Sequence, residues 1–456
     1  MIEPERRRDA SALAADPVGG AVAESGIGAT IGPTGGRATE RPTGAHATAG
    51  FAGFDATRVP SPCFVVDRAA IAANLAVLAH VRRESGAKVL SALKAFSMWR
   101  LAPLVAEHLD GTCSSGLHEA QLGHQHYPGE VHVFSAAFSA ADLAQVLEIA
   151  DHVVFNSFGQ WRRFRASCLE ARKQRGELAF GLRINPEHSE GTTPIYDPCA
   201  PGSRLGIPAA TFAREAATPL PDGTDALDGI SGLHLHTLCE QGLPPLQRTL
   251  AAVEARFGEW LPRMAWLNLG GGHHISAPGY DVPGLIELLR DTAERHGVQM
   301  YLEPGEAVAI NSGALVCEVL DVGEPLDDGA VGDGVSYRQA ILDTSATCHM
   351  PDTLEMPYRA ELIGAFDPAH RAGEGHVYRL GGMTCLAGDV IGDYAFEAPL
   401  RIGQRLVFDD MAHYTMVKTT TFNGIGLPGI ALWDSRSDSL EVVKTFGYED
   451  FRDRLS

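Results

Sequence analysis

Between residues 88 and 306 the chain alternates short apolar runs with helical stretches, eight times in succession. The runs are Lys88–Leu93, Gly111–Ser115, Val131–Ala137, His152–Ser157, Ala179–Pro186, Ile230–Leu238, Trp266–Gly272 and Gln299–Glu306. Helical apolar spacing marks the segments between them, among them Leu117–His126, Ala141–Ile149, Trp161–Arg175, Leu246–Phe257 and Leu285–His296. Eight strand–helix units predict an α/β fold, a (β/α)8 barrel of the TIM type. A doubly wound open sheet is the competitor, but no G-x-G-x-x-G follows the first strand to support it.

The unusual residues gather at the C-terminal ends of these runs, the face where such barrels do chemistry. They are Lys94, Ser114, Ser115, Arg183, His236, Gly270-Gly271-Gly272 and Glu303. A partly desolvated lysine can serve as a nucleophile, although a stem on apolar surface with its head in water is the plainer role. Three glycines after the seventh strand let backbone N–H groups cradle a phosphate; a tight turn is the alternative. Glu303 precedes a Pro304-Gly305 corner, and a buried carboxylate there needs a partner. The partner is either the protonated ring nitrogen of a cofactor or a basic side chain. His234 and His236 share one strand face by period two. They suit a zinc pair, or His236 alone stacks on a flat ring while His234 is a satisfied core residue.

After residue 310 short β-prone runs punctuated by Gly, Pro and Asp replace the helical periodicity, which predicts a second, mostly β domain. The expected division is a disordered tail over 1–55, the barrel over 56–310 and the β domain over 311–456. The tail is rich in Ala, Gly, Thr and Pro, and no apolar stretch follows its Arg6–Arg8 cluster as a signal peptide requires. No run approaches the ~20 apolar residues of a bilayer crossing. With 37 basic and 57 acidic residues the net charge is -20, which disfavours nucleic acid and anionic membranes and tolerates a cationic substrate. Eight scattered cysteines without C-x-x-C spacing argue against structural zinc and against a disulfide framework, and suit a reducing cytoplasm.

Several long motifs narrow the reading. They are Ala92–Phe96, Tyr196–Gly206, His236–Glu240, Gly270–Ile275, Leu342–Asp352 and Ala412–Lys418. Across residues 60 to 435 the chain resembles the fold-type III pyridoxal-phosphate decarboxylases, the group of the ornithine and diaminopimelate enzymes and alanine racemase. More closely, it resembles the carboxynorspermidine/carboxyspermidine decarboxylases. The resemblance implies pyridoxal 5′-phosphate as cofactor, with Lys94 as its covalent attachment point and His236 stacked on the ring. Glu303 would face the pyridine nitrogen and Arg183 the ring hydroxyl. Gly270, Gly271, Gly272 and Tyr414 would hold the phosphate. Cys385 would be donated across a homodimer with shared active sites, and either Cys385 or Lys94 would supply the proton that replaces the carboxylate. The implied reaction converts carboxynorspermidine or carboxyspermidine to norspermidine or spermidine plus CO2, a step of polyamine biosynthesis, with no metal.

Three departures bear on the substrate. Relatives carry arginine where Glu306 stands, serine where Cys239 stands, and an acid where Leu386 follows Cys385. Glu306 therefore becomes an acid available to a cationic substrate. Candidates for binding its amines are Glu240, Glu306, Asp343, Asp352, Glu355 and Asp389, with Glu306 and Asp343 first; pairing with Arg204, Arg359 or Lys418 is the competing role for some of them. The rival functions are another fold-type III enzyme, acting as a racemase or on a different basic amino acid, a barrel metallohydrolase using His234, His236, His273 and His274, and a non-catalytic cofactor carrier.

Overall fold

The computed structural model describes residues 50–191, 194–325, 337–369 and 375–456. Strand β1 (Cys63–Asp67) and helix α1 (Arg68–Ser85) come first. Parallel strands β2 (Lys88–Ala92), β3 (Gly111–Ser114), β4 (Glu130–Phe134), β5 (His152–Phe155) and β6 (Ala179–Asn185) follow. A two-residue β7 (Ile207–Pro208) pairs with β6, and β8 (Gly232–His234), β9 (Trp266–Asn268) and β10 (Gln299–Leu302) complete the set. Hydrogen bonding runs β2-β3-β4-β5-β6-β8-β9-β10 and returns from β10 to β2, so the eight expected strands close a barrel.

Period-two alternation decides what each strand buries. Val131, Val133, Val153, Phe155, Phe180 and Leu182 turn outward into the core beneath the helices. Leu90, Val154, Trp266 and Tyr301 fill the lumen. The indole of Trp266 fits because Gly181 and Gly232 lie against it: a Cβ on either would come within 2.3 and 1.9 Å of the ring. Near this plug, the Glu130 carboxylate accepts from His132 Nε2 (2.9 Å) and the Tyr301 hydroxyl (3.3 Å), and pairs with Lys88. This satisfied polar cluster lies toward the N-terminal ends of the strands, away from the loops that follow them.

The second sheet contains β11 (Gly313–Val322), β12 (Arg338–Leu342), β13 (Ala365–Phe366), β14 (His376–Gly381), β15 (Val390–Phe396), β16 (Arg405–Phe408), β17 (Gly429–Asp434) and β18 (Ser439–Lys444). Its order is β13-β15-β14-β12-β11-β1-β17-β18, with β16 on β11. The position of β1 corrects the expected division at residues 56–310. Phe64 pairs with Leu315 antiparallel and with Ile430 parallel, so β1 is an inner strand of the second sheet and not part of the barrel. Asp67 at its end ties the two domains together. Its carboxylate accepts the Ala69 N–H at 2.9 Å, capping α1, and the Ser435 N–H at 3.1 Å beyond β17.

The tail expected over 1–55 lies outside the described residues as far as residue 49. Residues 50–55 do not fit a disordered tail, because the buried rings of Phe51 and Phe54 lie 5.2 and 5.0 Å from that of Trp433. Among the described residues no helix is long and apolar enough to cross a membrane.

Candidate active site

Lys94 lies two residues beyond the end of β2, half-buried, in a turn fixed from three sides. The Ala92 N–H donates to the Pro304 carbonyl at 2.9 Å, and the Ala95 N–H donates back to Ala92 at 3.1 Å. From the second domain, the Tyr414 N–H donates to the Ala95 carbonyl at 2.7 Å. The charge of Lys94 acts on Cys113, His234 and His236, which places the amine among the ends of β3, β8 and β10.

Glu303 follows β10 directly. Its Oε1 accepts from Asn268 Nδ2 at 2.7 Å, and its Oε2 lies 3.2 Å from His234 Nε2. Strand register explains the meeting: His234 on β8 pairs with Asn268 on β9, and both project inward one layer below Glu303. Burial acts to raise the Glu303 carboxyl, but His234 and the hydrogen bonds from His234 and Asn268 outweigh it and hold the group down at about 2. Burial drives His234 below its ordinary value. We assign the charge of this pair to Glu303, with neutral His234 donating from Nε2, because a buried imidazolium carries the larger desolvation cost. His234 Nδ1 is then a buried acceptor without a hydrogen-bond partner.

His236 Nδ1 accepts the Gly271 N–H at 3.0 Å, which sets the ring's orientation. Burial, reinforced by Lys94 and Arg183, pushes this imidazole well below its usual value and keeps it neutral. Arg183 donates from Nη2 to the His236 carbonyl at 3.1 Å and lies 4.5 Å from the centre of the Phe134 ring. Burial lowers Arg183 to about 10, with Glu303 opposing, so the guanidinium stays charged at neutral pH.

Gly272 has φ +87°, and a Cβ there would come within 1.9 Å of the Leu238 carbonyl oxygen. Gly270 spends its N–H on Asn268 Oδ1 (2.8 Å) and Gly271 on His236, leaving the Gly272 N–H of the three for an anion. One opening therefore brings together an amine, a carboxylate, a guanidinium, an imidazole face and a free backbone N–H. That set fits pyridoxal 5′-phosphate, which has an aldehyde, a basic ring nitrogen, a phenolic oxygen and a phosphate.

The acids expected to bind substrate separate into distinct settings. Glu306, only 10 % exposed, lies 3.0 Å from His274 Nε2 and 3.4 Å from His413 Nδ1. Two imidazoles flank it, so it is not the solvent-open acid its sequence position suggests. Glu240 acts electrostatically on His274 and on Tyr414, so it belongs to the same mouth. Asp352 and Glu355 both bond Lys418 and accept from the Tyr196 hydroxyl at 3.0 and 3.4 Å, a pairing that leaves one carboxylate charge uncompensated. Asp343 accepts the Glu318 N–H at 2.8 Å and lines a cavity of about 350 Å³ with Ser61, Met383 and Phe446, a setting apart from Glu306. Asp389 is buried and accepts from Ser345 Oγ (2.9 Å), Thr384 Oγ1 (2.6 Å) and the Thr347 N–H (3.3 Å). Its lone pairs organise the loop that carries Cys385 and do not reach toward a ligand. Cys385 itself is exposed, with its N–H bonded to Asn423 Oδ1 at 2.9 Å.

Two residues of the site, Asn268 and Phe134, escaped sequence reasoning, and His234 was read there as a core residue or a zinc ligand, not as the partner of Glu303. The H-x-H spacing and an inward Asn two residues before Gly270 were the available signals. The four histidines of the metallohydrolase reading face separate partners, Glu303, Gly271, Tyr280 and Glu306, and among the described residues they form no cluster.

A family model described as "Pyridoxal-dependent decarboxylase, C-terminal sheet domain" matches residues 63–412. A carboxyaminopropylagmatine decarboxylase of Synechocystis sp. is 43% identical over 398 residues, covering 87% of this chain and 96% of that protein. A carboxynorspermidine/carboxyspermidine decarboxylase of Campylobacter jejuni is 40% identical, covering 86% of this chain and 98% of the relative. The crystal structure of carboxynorspermidine decarboxylase complexed with norspermidine, from Campylobacter jejuni, superposes with a TM-score of 0.75 at 39% identity, over 87% of this chain and 100% of that one.

Proposed function

From the premise that the chain belongs to the pyridoxal-dependent decarboxylases, we propose that it binds pyridoxal 5′-phosphate and decarboxylates carboxynorspermidine or carboxyspermidine, giving norspermidine or spermidine and CO2. The observation that carries this reading is the convergence of Lys94, Glu303, Arg183 and His236 on one mouth, in a chain similar along most of its length to enzymes of that name.

The bound cofactor supplies the electron sink for the pair left behind as the carboxylate departs. Lys94 would anchor the cofactor through its Nζ. Glu303, held anionic by His234 and Asn268, would keep the ring nitrogen protonated. His236 would support one face of the ring, and Arg183 would meet its phenolic oxygen. The reaction consumes one proton, delivered from Lys94 Nζ or Cys385 Sγ to the carbon that loses CO2.

The distal cation of the substrate finds its counter-charge at Asp352 and Glu355. Two carboxylates and the single Lys418 ammonium leave one negative charge in excess, and Glu355 is about half exposed. Asp352 and Glu240 both act electrostatically on Tyr414, which links this patch to the cofactor end of the mouth. The active unit is a homodimer. Exposed Met383, Leu386 and Phe422 surround Cys385 with apolar surface that a second copy would cover, and that copy would receive the thiol.

A second reading shares every step and differs in the substrate's distal end. Carboxyaminopropylagmatine is the substrate named for the relative at 43% identity. Its guanidinium suits two carboxylates and a tyrosine as well as an ammonium does. Release of CO2 from the purified protein decides between them, with carboxynorspermidine, carboxyspermidine and carboxyaminopropylagmatine assayed side by side. Decarboxylation of none of the three would overturn both readings.

A further inference from the structure

Asp352 Oδ1 and Glu355 Oε2 converge on one point, and an ammonium already occupies it. Both oxygens accept from Lys418 Nζ, and both also accept from the Tyr196 hydroxyl, at 3.0 and 3.4 Å. Three segments meet here. Asp352–Glu355 is one turn of helix, so its first and last residues set their carboxylates on the same side. Tyr196 ends the short 3-10 turn Pro194–Tyr196 in the connection from β6 to β7. Lys418 ends the 3-10 turn Met416–Lys418, and its N–H donates to the Tyr414 carbonyl at 3.0 Å. Tyr414 in turn donates to the Ala95 carbonyl, so the cage is joined through one short segment to the turn that carries Lys94.

The Lys418 side chain is a primary ammonium on a flexible four-carbon stem. Carboxynorspermidine and carboxyspermidine end in a primary ammonium on a short alkyl chain, and carboxyaminopropylagmatine ends in a guanidinium. The seat therefore already holds a group of the substrate's own chemical class. A second cation at the same two oxygens would stand against Lys418 Nζ, and like charges at that spacing repel. Lys418 is able to leave: its side chain is 28 % exposed, and that of Glu355 is 48 % exposed. Although burial opposes it, the bonds to Asp352 and Glu355 raise the proton affinity of Lys418, so it stays charged. Exchanging one cation for another leaves the charge of the cage unchanged, and the departing ammonium recovers its hydration.

We propose that Lys418 occupies the seat of the substrate's distal cation and competes for it, and so sets how firmly substrate and product are held. This rests on the reading that Asp352 and Glu355 receive that cation. Decarboxylation removes the carboxyl group alone, so substrate and product carry the same distal end. A cage open to that end would hold the product as firmly as the substrate. A tethered ammonium acts at an effective concentration on the order of millimolar, and its return to Asp352 Oδ1 and Glu355 Oε2 displaces the product. The other role open to Lys418 is to brace Asp352 and Glu355 against their mutual repulsion. The two roles differ in sign. Removing a competitor tightens amine binding, whereas removing a brace loosens it.

The test uses the purified holoenzyme, titrated by calorimetry with the decarboxylated amines norspermidine, spermidine and aminopropylagmatine. Lys418→Met should bind the best of them about tenfold more tightly than the unmodified protein does, the effect of removing a tethered competitor. Its KM for the matching substrate should fall by a similar factor. Lys418→Gln should act in the same direction, which covers a Lys418→Met chain that fails to fold. Lys418→Arg, which keeps a cation in the seat, should resemble the unmodified protein. Adding Asp352→Asn to Lys418→Met should remove the gain. Unchanged, weaker or undetectable amine binding by both neutral variants overturns the proposal, as does a gain that survives Asp352→Asn. CO2 release by the unmodified protein, measured alongside, reports separately on the decarboxylase reading. Turnover without the gain leaves that reading standing, and turnover of none of the three substrates overturns both.

Discussion

The Tyr414 N–H donates to the carbonyl of Ala95 at 2.7 Å, so the turn that carries Lys94 is pinned by the second domain and not by the barrel alone. Tyr414 accepts a left-handed backbone, φ +48°, to do this, a conformation that costs a non-glycine residue on the order of 1 kcal/mol. The sheet domain therefore helps to hold the turn that carries Lys94.

Tyr414→Phe keeps that backbone bond and removes only the hydroxyl assigned to the phosphate. Cofactor affinity should fall about tenfold, the value of one hydrogen bond to a charged group. The melting temperature of the cofactor-free chain should stay within about 2 °C, since the ring keeps its packing and only one hydroxyl is removed. Unchanged affinity would remove Tyr414 from the phosphate site.

Glu303→Gln replaces the anion with an amide that must set one of its donors against Asn268 Nδ2 or His234 Nε2. We expect kcat/KM to fall by about 100-fold or more, because the ring nitrogen loses its proton, and stability to fall by about 1–3 kcal/mol. Near-normal turnover would show that the nitrogen does not meet this carboxylate.

Gly272 and Gly279 both have positive φ, yet only Gly272 is closely approached: a Cβ there meets Leu238 O at 1.9 Å, whereas nothing lies within 4 Å of one at Gly279. Gly279→Ala should cost about 1 kcal/mol, the conformational term alone. Gly272→Ala should cost several-fold more in chemical denaturation and should abolish cofactor binding. Equal costs would mean the glycine loop is not packed as described.

Asp409 is buried, with Oδ2 lacking a hydrogen-bond partner, and burial, aided by Asp410 and Glu361, raises its carboxyl to about 7. The folded state therefore holds a proton that the unfolded state has released above its ordinary value near 4. The sign follows: this group makes stability fall as pH rises from about 4 through 7. Asp409→Asn should leave the melting temperature nearly unchanged at pH 4 and raise it at pH 8. A shift equal at both pH values would contradict the assignment.

A homodimer with shared sites predicts complementation. Lys94→Ala and Cys385→Ala variants, each inactive, should recover about a quarter of normal activity when mixed and reassociated, because half the dimers then contain one intact site of two. Recovery of none would place both residues in one subunit's site, or remove Cys385 from the reaction.

The barrel was legible because its eight runs repeat one strand–helix unit, and because Lys94, His236 and Glu303 stand near the ends of their runs, with Arg183 in the C-terminal half of β6. The place of β1 was not. All five of its residues are buried, so it lacks the alternation that marks a one-sided strand, and its partners at Leu315 and Ile430 are distant in sequence. The acids were the hardest to read. Asp389 and Glu306 are both carboxylates in Gly-rich turns, yet Ser345 and Thr384 saturate one while His274 and His413 flank the other. Which partner a carboxylate meets depends on loops brought together by the fold, and spacing along one segment carries no record of that.

The covalent attachment of the cofactor tests the whole account most directly. The purified protein, reduced with borohydride and digested, should yield one pyridoxyl-bearing peptide, the one containing Lys94, in near-stoichiometric amount. A modified peptide containing a different lysine, or none at all, would contradict it.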